Sequence, residues 1–206
     1  MNIFISLILG YAFGCFSTGY FVGKIYKVDI RKYGSGNSGT TNALRTLGKR
    51  AGILTLLGDV SKAVIPLLLI KLVFFKDQSN TQLLALYTGL GVVIGHNYPF
   101  WLKFKGGKGI ATTGGVMIAF DWIMVPPALL IFVGTIAITK YVSLGSLLVS
   151  MFFPIWIFFT NSYDIHMLIV ALIYTVLAFI KHMPNIKRLI NGTENKINQK
   201  VNINNK

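Results

Sequence analysis

Residues 51–74 read AGILTLLGDVSKAVIPLLLIKLVF, and this stretch decides the fold class. A helix needs about 20 apolar residues to cross the hydrocarbon core of a bilayer. The charged side chains of the stretch are Asp59, Lys62 and Lys71. Ionisable groups inside a membrane helix are costly, and the i, i+3 spacing of Asp59 and Lys62 lets each neutralise the other. The stretch therefore predicts a membrane helix with an internal ion pair, for which we favour a structural role.

Further apolar blocks lie on both sides of this helix, and the chain as a whole is 53% hydrophobic and 13% charged. Soluble domains carry about a quarter charged residues. We predict an all-α integral membrane protein with about seven transmembrane helices at 3–23, 51–74, 81–98, 110–121, 124–139, 142–160 and 164–181. Two of them, 110–121 and 124–139, are short because Pro126 and Pro127 disfavour one straight helix. The alternative is one long kinked helix there, which gives six crossings.

Residues 1–194 are predicted to form a single membrane domain. Residues 195–206 form a polar, asparagine-rich cytoplasmic tail, which we expect to be disordered. The single cysteine, Cys15, excludes an internal disulfide and disfavours a thiolate metal site.

The basic residues are distributed unevenly across the predicted membrane. The net charge is +14, and with seven crossings 17 of the 20 Lys and Arg residues fall on one face, leaving Lys62, Lys71 and Lys76 elsewhere. Cytoplasmic loops of membrane proteins are enriched in Lys and Arg. The asymmetry predicts an N-terminus outside and a C-terminus in the cytoplasm. It also accounts for the basic composition, so we expect the lipid bilayer and no nucleic acid as a partner.

The first inner loop contains YGSGNSGTTN at residues 33–42, followed by Arg45. Glycine permits positive φ angles and a close approach of ligand to backbone, so consecutive amides can form an anion-binding nest. A helix beginning near Thr41 would aim its N-terminus at the same point, and the fork of Arg45 suits phosphate oxygens. The alternative is a flexible linker.

The second inner loop contains KGGKG at residues 105–109. It places cations at the start of a short helix, which favours anions. A Walker A loop needs Ser or Thr after Gly-Lys, whereas Gly109 follows Lys108 here. Ser146, His182 and Asn185 follow on the same face, although Ser146 alone is also typical of a helix-packing hydroxyl.

Chemistry that would activate a nucleophile is sparse in this sequence. None of the three histidines is followed five residues later by Asp, and no Gly-x-Ser-x-Gly elbow occurs. A site rich in hydrogen-bond donors for phosphate but poor in general bases suits a substrate that is already activated, such as a mixed carboxylic–phosphoric anhydride. A secondary transporter of a small phosphorylated anion is the alternative, although its polar groups would lie near the midplane.

Three sequence blocks, in order and in register, resemble the bacterial acyl-phosphate:glycerol-3-phosphate acyltransferases. They are GSGNSGTTN from Gly34 with Arg45, GH at Gly95 with KGGKGIAT from Lys105, and HMPNIKRLINGTE from His182. The resemblance covers residues 1 to about 194. It implies transfer of a fatty acyl group from acyl phosphate to the 1-hydroxyl of sn-glycerol 3-phosphate, giving lysophosphatidate and phosphate in the bacterial cytoplasmic membrane. This reaction is the first step of phospholipid synthesis. It also implies no metal or other cofactor, and a partner enzyme that makes acyl phosphate.

The resemblance also implies roles for individual residues. The catalytic group would be His182, Asn185 and Ser146, which orient the acceptor hydroxyl. The proton acceptor would be His182 or the phosphate of the donor, and we favour the phosphate. The phosphate-binding group would be Ser35, Gly36, Asn37, Gly39, Thr41, Asn42, Arg45, Gly106, Gly107, Lys108 and Gly109.

Overall fold

A computed structural model describes residues 1–161 and 164–199 of the chain. Within those residues the extended regular elements are helices, which confirms the predicted all-α class. The helices are α1 Asn2–Gly14, α2 Thr18–Ile25, α3 Thr40–Leu47, α4 Lys49–Leu69, α5 Thr81–Asn97, α6 Ile110–Phe120, α7 Val125–Thr139, α8 Val142–Thr160 and α9 Ile165–Ile190.

Several helical stretches have the length and apolar character that crossing a bilayer requires. By these criteria, the described part of the chain has five: Asn2–Ile25, Lys49–Phe74, Trp122–Thr139, Val142–Thr160 and Ile165–Ile190. The 11-residue α6 is a shorter apolar helix, and α5 has 17 residues. The count of seven crossings stays a prediction.

Two short helices, α6 and α7, occupy the region around the proline pair. Helix α6 ends at Phe120 and α7 begins at Val125 with prolines in its first turn, where their missing N–H groups cost little. Asp121 caps the connection, because its carboxylate accepts from Ile123 N at 3.0 Å and from Trp156 Nε1 at 2.8 Å.

The first predicted helix, 3–23, is interrupted between α1 and α2. Helix α1 packs closely against α5, since a Cβ on Gly14 would lie 2.2 Å from the carbonyl oxygen of Val92. Side chains from other segments donate hydrogen bonds to the backbone carbonyls that lack a helical partner at the break. Trp101 Nε1 donates to Cys15 O at 2.8 Å, and Lys62 Nζ donates to Phe16 O at 2.8 Å. These tertiary contacts compensate the backbone groups that the break leaves unpaired.

The last helix extends beyond the predicted end at Lys181. Helix α9 continues to Ile190, so that His182 and Asn185 lie within it and not after it. Their side chains are buried, whereas Lys187 and Ile190 are exposed. The final turns are thus amphipathic, which stabilises them although the apolar run has ended.

Contacts between chain segments bring the loops of one end of the bundle together. The amide of Ile197 donates to Lys140 O at 2.9 Å, which ties the described part of the tail to the connection between α7 and α8. Lys181 Nζ on α9 donates to Asn97 O at the end of α5 at 3.1 Å. The part of the predicted tail at 200–206 lies outside the described residues.

Candidate active site

Asn42 organises the first glycine-rich loop. Its Oδ1 accepts from Ser35 N at 3.0 Å, and its Nδ2 donates to the carbonyls of Ile30 and Asn37, both at 2.8 Å, and of Tyr33 at 3.2 Å. The side chain is buried inside the loop. We assigned Asn42 to phosphate binding from the sequence, but the structure places its amide against the loop backbone, where it positions the other residues.

Asn37 and Ser35 form the outer part of this loop. Asn37 Oδ1 accepts from Gly39 N at 2.9 Å, and its Nδ2 donates to Ser35 Oγ at 2.9 Å. Ser35 therefore accepts with its oxygen and retains its own proton to donate to a ligand. Gly36 has a φ of +73°, a conformation that favours glycine. Gly39 is the N-cap of α3, and Thr41 lies half-buried in its first turn, as the predicted helix start requires.

The second glycine-rich loop is docked on the end of α5. The amide of Gly106 donates to Asn97 O at 3.2 Å, and that of Gly107 donates to His96 O at 3.0 Å. A Cβ on Gly106 would lie 2.0 Å from His96 O. These two glycines are therefore required for close packing, and their amides are directed at α5. Gly109, with a φ of +85°, is the N-cap of α6.

Lys108 projects from this loop towards α9, where its Nζ donates to Asn185 Oδ1. The pKa of Lys108 is lowered to about 8, chiefly by burial and in part by the nearby cations Arg188, Arg45 and Lys181, against the opposing effect of the Glu194 carboxylate. The amine is therefore enclosed in a cationic environment, which an anionic ligand would compensate.

Glu194 joins the ends of α8 and α9. Its Oε1 accepts from Asn185 Nδ2 at 2.7 Å and from Ser143 Oγ at 3.0 Å, and its Oε2 accepts from Arg188 Nε at 2.8 Å. The carboxylate is buried, so Arg188 supplies the opposite charge that it needs. Asn185, predicted as catalytic, thus connects Glu194 to Lys108.

His182 is paired with a backbone carbonyl and not with a carboxylate. Its Nδ1 lies 2.8 Å from Ala178 O. Because a carbonyl can only accept, Nδ1 carries the proton, and Nε2 carries the lone pair in a neutral ring. Ser146 Oγ donates to Val142 O at 2.9 Å, which leaves its oxygen lone pairs facing away from that bond. The nearby carboxylate of Glu194 contacts Arg188, Asn185 and Ser143 instead.

Arg45 lies beneath the described part of the C-terminal tail. Its Nη2 donates to the carbonyls of Asn195 at 3.0 Å and Lys196 at 3.2 Å. Burial lowers the pKa of Arg45, and Glu194 counteracts part of this effect. Arginine nevertheless stays protonated at physiological pH. Arg45 is half-buried, and among the described residues its hydrogen bonds go to carbonyl dipoles, so it is suited to bind an anion.

A cavity of about 270 Å³ lies between the two loops and α9. It brings together seven of the predicted residues, namely Ser35, Gly36, Asn37, Gly106, Gly107, Lys108 and Asn185. The other predicted site residues are not among its lining. It also has residues that we had not assigned to the site: Phe104, Lys105, Lys181, Pro184 and Arg188. Helical spacing from Asn185 would have identified Lys181 and Arg188, had α9 been predicted to continue.

A sequence model described as glycerol-3-phosphate acyltransferase matches residues 4–192 of the chain. The chain belongs to the glycerol-3-phosphate acyltransferase family. A relative named glycerol-3-phosphate acyltransferase from Clostridioides difficile strain 630 is 46% identical over 204 residues, covering 97% of this chain and 99% of the relative. The relative of the same name from Bacillus subtilis strain 168 is 38% identical and covers 96% of this chain and 98% of the relative.

Solved structures of this family resemble the fold of the chain. The crystal structure of PlsY (YgiH), an integral membrane glycerol 3-phosphate acyltransferase, in its glycerol 3-phosphate form, has a TM-score of 0.85 and 34% identity, covering 95% of this chain and 96% of that one. The lysophosphatidic acid form gives 0.83 and 33%, covering 95% of each chain. The predicted integral membrane class and acyltransferase activity are thereby confirmed, and the transporter alternative is wrong.

Proposed function

We propose that the protein transfers a fatty acyl group from acyl phosphate to the 1-hydroxyl of sn-glycerol 3-phosphate, giving lysophosphatidate and phosphate. The transfer to glycerol 3-phosphate follows from family membership, and the related structures carry the substrate and the product in their names. The observation that supports a phosphorylated donor is the cavity itself, where Lys108, Lys181 and Arg188 surround Ser35 and the loop backbone. Such a site holds phosphate groups by charge-assisted hydrogen bonds.

The weak basicity of the site supports a donor that is already activated. His182 is oriented by Ala178 O, and the carboxylate of Glu194 is engaged by Arg188, Asn185 and Ser143. A histidine without a carboxylate partner gains little basicity. A mixed anhydride brings phosphate as its leaving group, so the protein needs mainly to align the hydroxyl and stabilise negative charge.

The proposed reaction is a single acyl transfer. The 1-hydroxyl oxygen forms a bond to the acyl carbonyl carbon while its proton passes to a phosphate oxygen of the donor. The bond between the acyl carbon and that phosphate then breaks, and its electron pair leaves with the phosphate. The single proton of the 1-hydroxyl would point at the donor phosphate, while His182 and Ser146 would position the acceptor beside the acyl carbon and Lys108 would stabilise the leaving phosphate.

We also propose that this site faces the cytoplasm, with the N-terminus outside. The 17 basic residues gathered on one predicted face support this orientation. The soluble substrate and the hydrolysable acyl phosphate would then meet on the side where both are made, and an enzyme that makes acyl phosphate would supply the donor.

The test is an acyl-transfer assay with purified protein, labelled glycerol 3-phosphate and either acyl phosphate or acyl-CoA. We expect labelled lysophosphatidate with acyl phosphate and none above background with acyl-CoA. Lys108→Ala should lose most activity, while Lys103→Ala, at an exposed lysine that does not line the cavity, serves as the matched control. Comparable turnover with acyl-CoA would overturn the proposed donor.

A further inference from the structure

A buried cluster of charged residues lies beneath the second glycine-rich loop. Lys62 Nζ on α4 contacts three acceptors: Asp59 Oδ1 at 2.8 Å, Phe16 O at 2.8 Å and His96 Nδ1 at 2.7 Å. Asp59 is 1%, Lys62 5% and His96 5% exposed. The cluster therefore connects the break between α1 and α2 to α4 and to the end of α5.

His96 connects this cluster to the Lys108 loop in two ways. Its carbonyl accepts from Gly107 N at 3.0 Å. Its ring packs against the same residue, because a Cβ on Gly107 would lie 2.1 Å from His96 Nε2. The ammonium of Lys62 can only donate, so it fixes Nδ1 as the acceptor and holds the ring in this orientation. Gly107 immediately precedes Lys108 in the chain.

The cost of this arrangement indicates a role beyond mutual neutralisation. Removing ions from water in an apolar interior is expensive, and apolar residues of similar size are often as stable. The ammonium of Lys62 has three donors, and His96 Nδ1 accepts the third, so the buried pair is fully satisfied only with the imidazole in this orientation.

We propose that Asp59, Lys62 and His96 are positioning residues that hold Lys108 at the phosphate subsite through Gly107. This inference rests on the proposed function, since it takes Lys108 as a ligand of a substrate phosphate. If the ion pair is lost, the imidazole is no longer oriented, and the Gly107–Lys108 segment shifts. We expect weaker binding of glycerol 3-phosphate or acyl phosphate, seen as a raised KM with a smaller change in kcat.

The decisive variant is the neutral double substitution Asp59→Asn with Lys62→Met. It leaves no unpaired charge in the interior, so it should fold even if either single variant does not. We expect a folded protein with a somewhat lower Tm, because Phe16 O and His96 Nδ1 lose their donor. KM for one phosphate substrate should rise about tenfold or more, the effect of misplacing a binding group. Parental KM in this folded variant would show that the pair is only structural and would overturn the proposal.

A double-mutant cycle distinguishes action through Lys108 from a general disturbance. Once Lys108→Ala has removed the ammonium, the neutral pair should cost little more, so the two effects are non-additive. A parallel cycle with Asn42→Ala, which acts inside the first loop, should be additive. Additivity in both cycles would overturn the inference, and so would an unchanged KM in Lys108→Ala. Turnover of acyl phosphate by the parent protein in the same assay tests the proposed function separately.

Discussion

The two glycine-rich loops look alike in sequence but use glycine for different physical reasons. In the loop at 33–42, Gly34 and Gly36 have φ angles of +59° and +73°, and Asn42 inside the loop binds the backbone together. In the loop at 105–109, Gly106 and Gly107 are required because α5 lies too close for any side chain. The first loop is organised by its own side chains, whereas the second takes its shape from the helix beneath it.

The largest effect is expected for Gly106→Ala, which disrupts the packing of the second loop against α5. The added Cβ would lie 2.0 Å from His96 O and 2.7 Å from Pro99 Cδ, so backbone would have to move. Displacement of a binding group by about 1 Å can cost roughly a hundredfold in rate. We expect kcat/KM for glycerol 3-phosphate to fall by about that factor. Gly114→Ala in α6, where a Cβ meets nothing within 4 Å, is the matched control; equal losses in both variants would contradict the docking argument.

A smaller effect is expected for Asn42→Ala, which removes the internal clamp of the first loop. The substitution leaves Ser35 N and three carbonyls without their partner. An unsatisfied buried group costs about 1–3 kcal/mol, although water entering the loop compensates some of it. Because this cost falls on the loop conformation that presents Ser35, a smaller fraction of the protein is competent to bind, and we expect kcat/KM to fall roughly tenfold or more. Thermal unfolding and kinetics of the purified variant measure both consequences.

Asn42→Asp provides the control for this interpretation. It keeps the acceptor for Ser35 N but replaces the donor by a carboxylate oxygen that faces carbonyls, which is at least as unfavourable. If Asn42 instead bound phosphate directly, Asn42→Ala would raise KM while leaving stability unchanged. That result would make the two loops alike in using polar side chains as ligands.

How much the sequence could predict depends on whether the deciding contact is local. The apolar blocks, the pair Asp59–Lys62 and the helix after the first loop follow from composition and spacing, and each is present in the structure. The continuation of α9 to Ile190 is amphipathic, but its end is also fixed by Glu194, which binds Arg188 and Asn185 on α9 and Ser143 on α8. The contact with Ser143, 51 residues away, leaves no periodic signal in the sequence.

The cavity and the roles of the glycines were predictable only in part. Ser35, Asn37 and Lys108 could be assigned because a phosphate needs donors on an open backbone, and the cavity brings these residues together. The packing of Gly106 against His96 O could not be foreseen, because a Gly-Gly pair indicates freedom of the backbone as readily as close approach. The role of Asn42 was ambiguous for a different reason, because an asparagine amide can bind a phosphate or the loop backbone with the same donor and acceptor atoms.

The pH dependence of activity should sharpen the comparison, since Lys108 in the second loop titrates while Ser35 and Asn37, the proposed phosphate ligands of the first loop, do not. With its pKa at about 8, Lys108 is protonated below that pH and loses its charge above it. We therefore expect kcat/KM for the phosphate substrate that it binds to fall as pH rises through about 8. Lys108→Arg stays charged and should move the fall to higher pH, whereas Lys103→Arg, at an exposed lysine outside the cavity lining, should not. An unchanged profile in Lys108→Arg would contradict this assignment.

The smallest effect is expected for Gly36→Ala, which tests whether the first loop has the open space that the second lacks. A left-handed conformation costs a residue with a Cβ about 1–2 kcal/mol, but the nearest atom to that Cβ would be Arg31 O at an ordinary 3.6 Å.

Gly48→Ala is the matched control, because Gly48 also has a positive φ, +91°, with nothing within 4 Å, and does not line the cavity. Both variants should lose stability, seen as a lower Tm. Only Gly36→Ala should also lose activity, because its methyl group enters the cavity where the phosphate is proposed to approach the backbone. That loss should be severalfold, well below the loss in Gly106→Ala, since the left-handed turn can persist under strain while a docked loop cannot keep its place against a backbone clash. A loss in Gly36→Ala as large as that in Gly106→Ala would mean that both loops are shaped by close packing, and an activity equal to that of Gly48→Ala would move the phosphate away from Gly36.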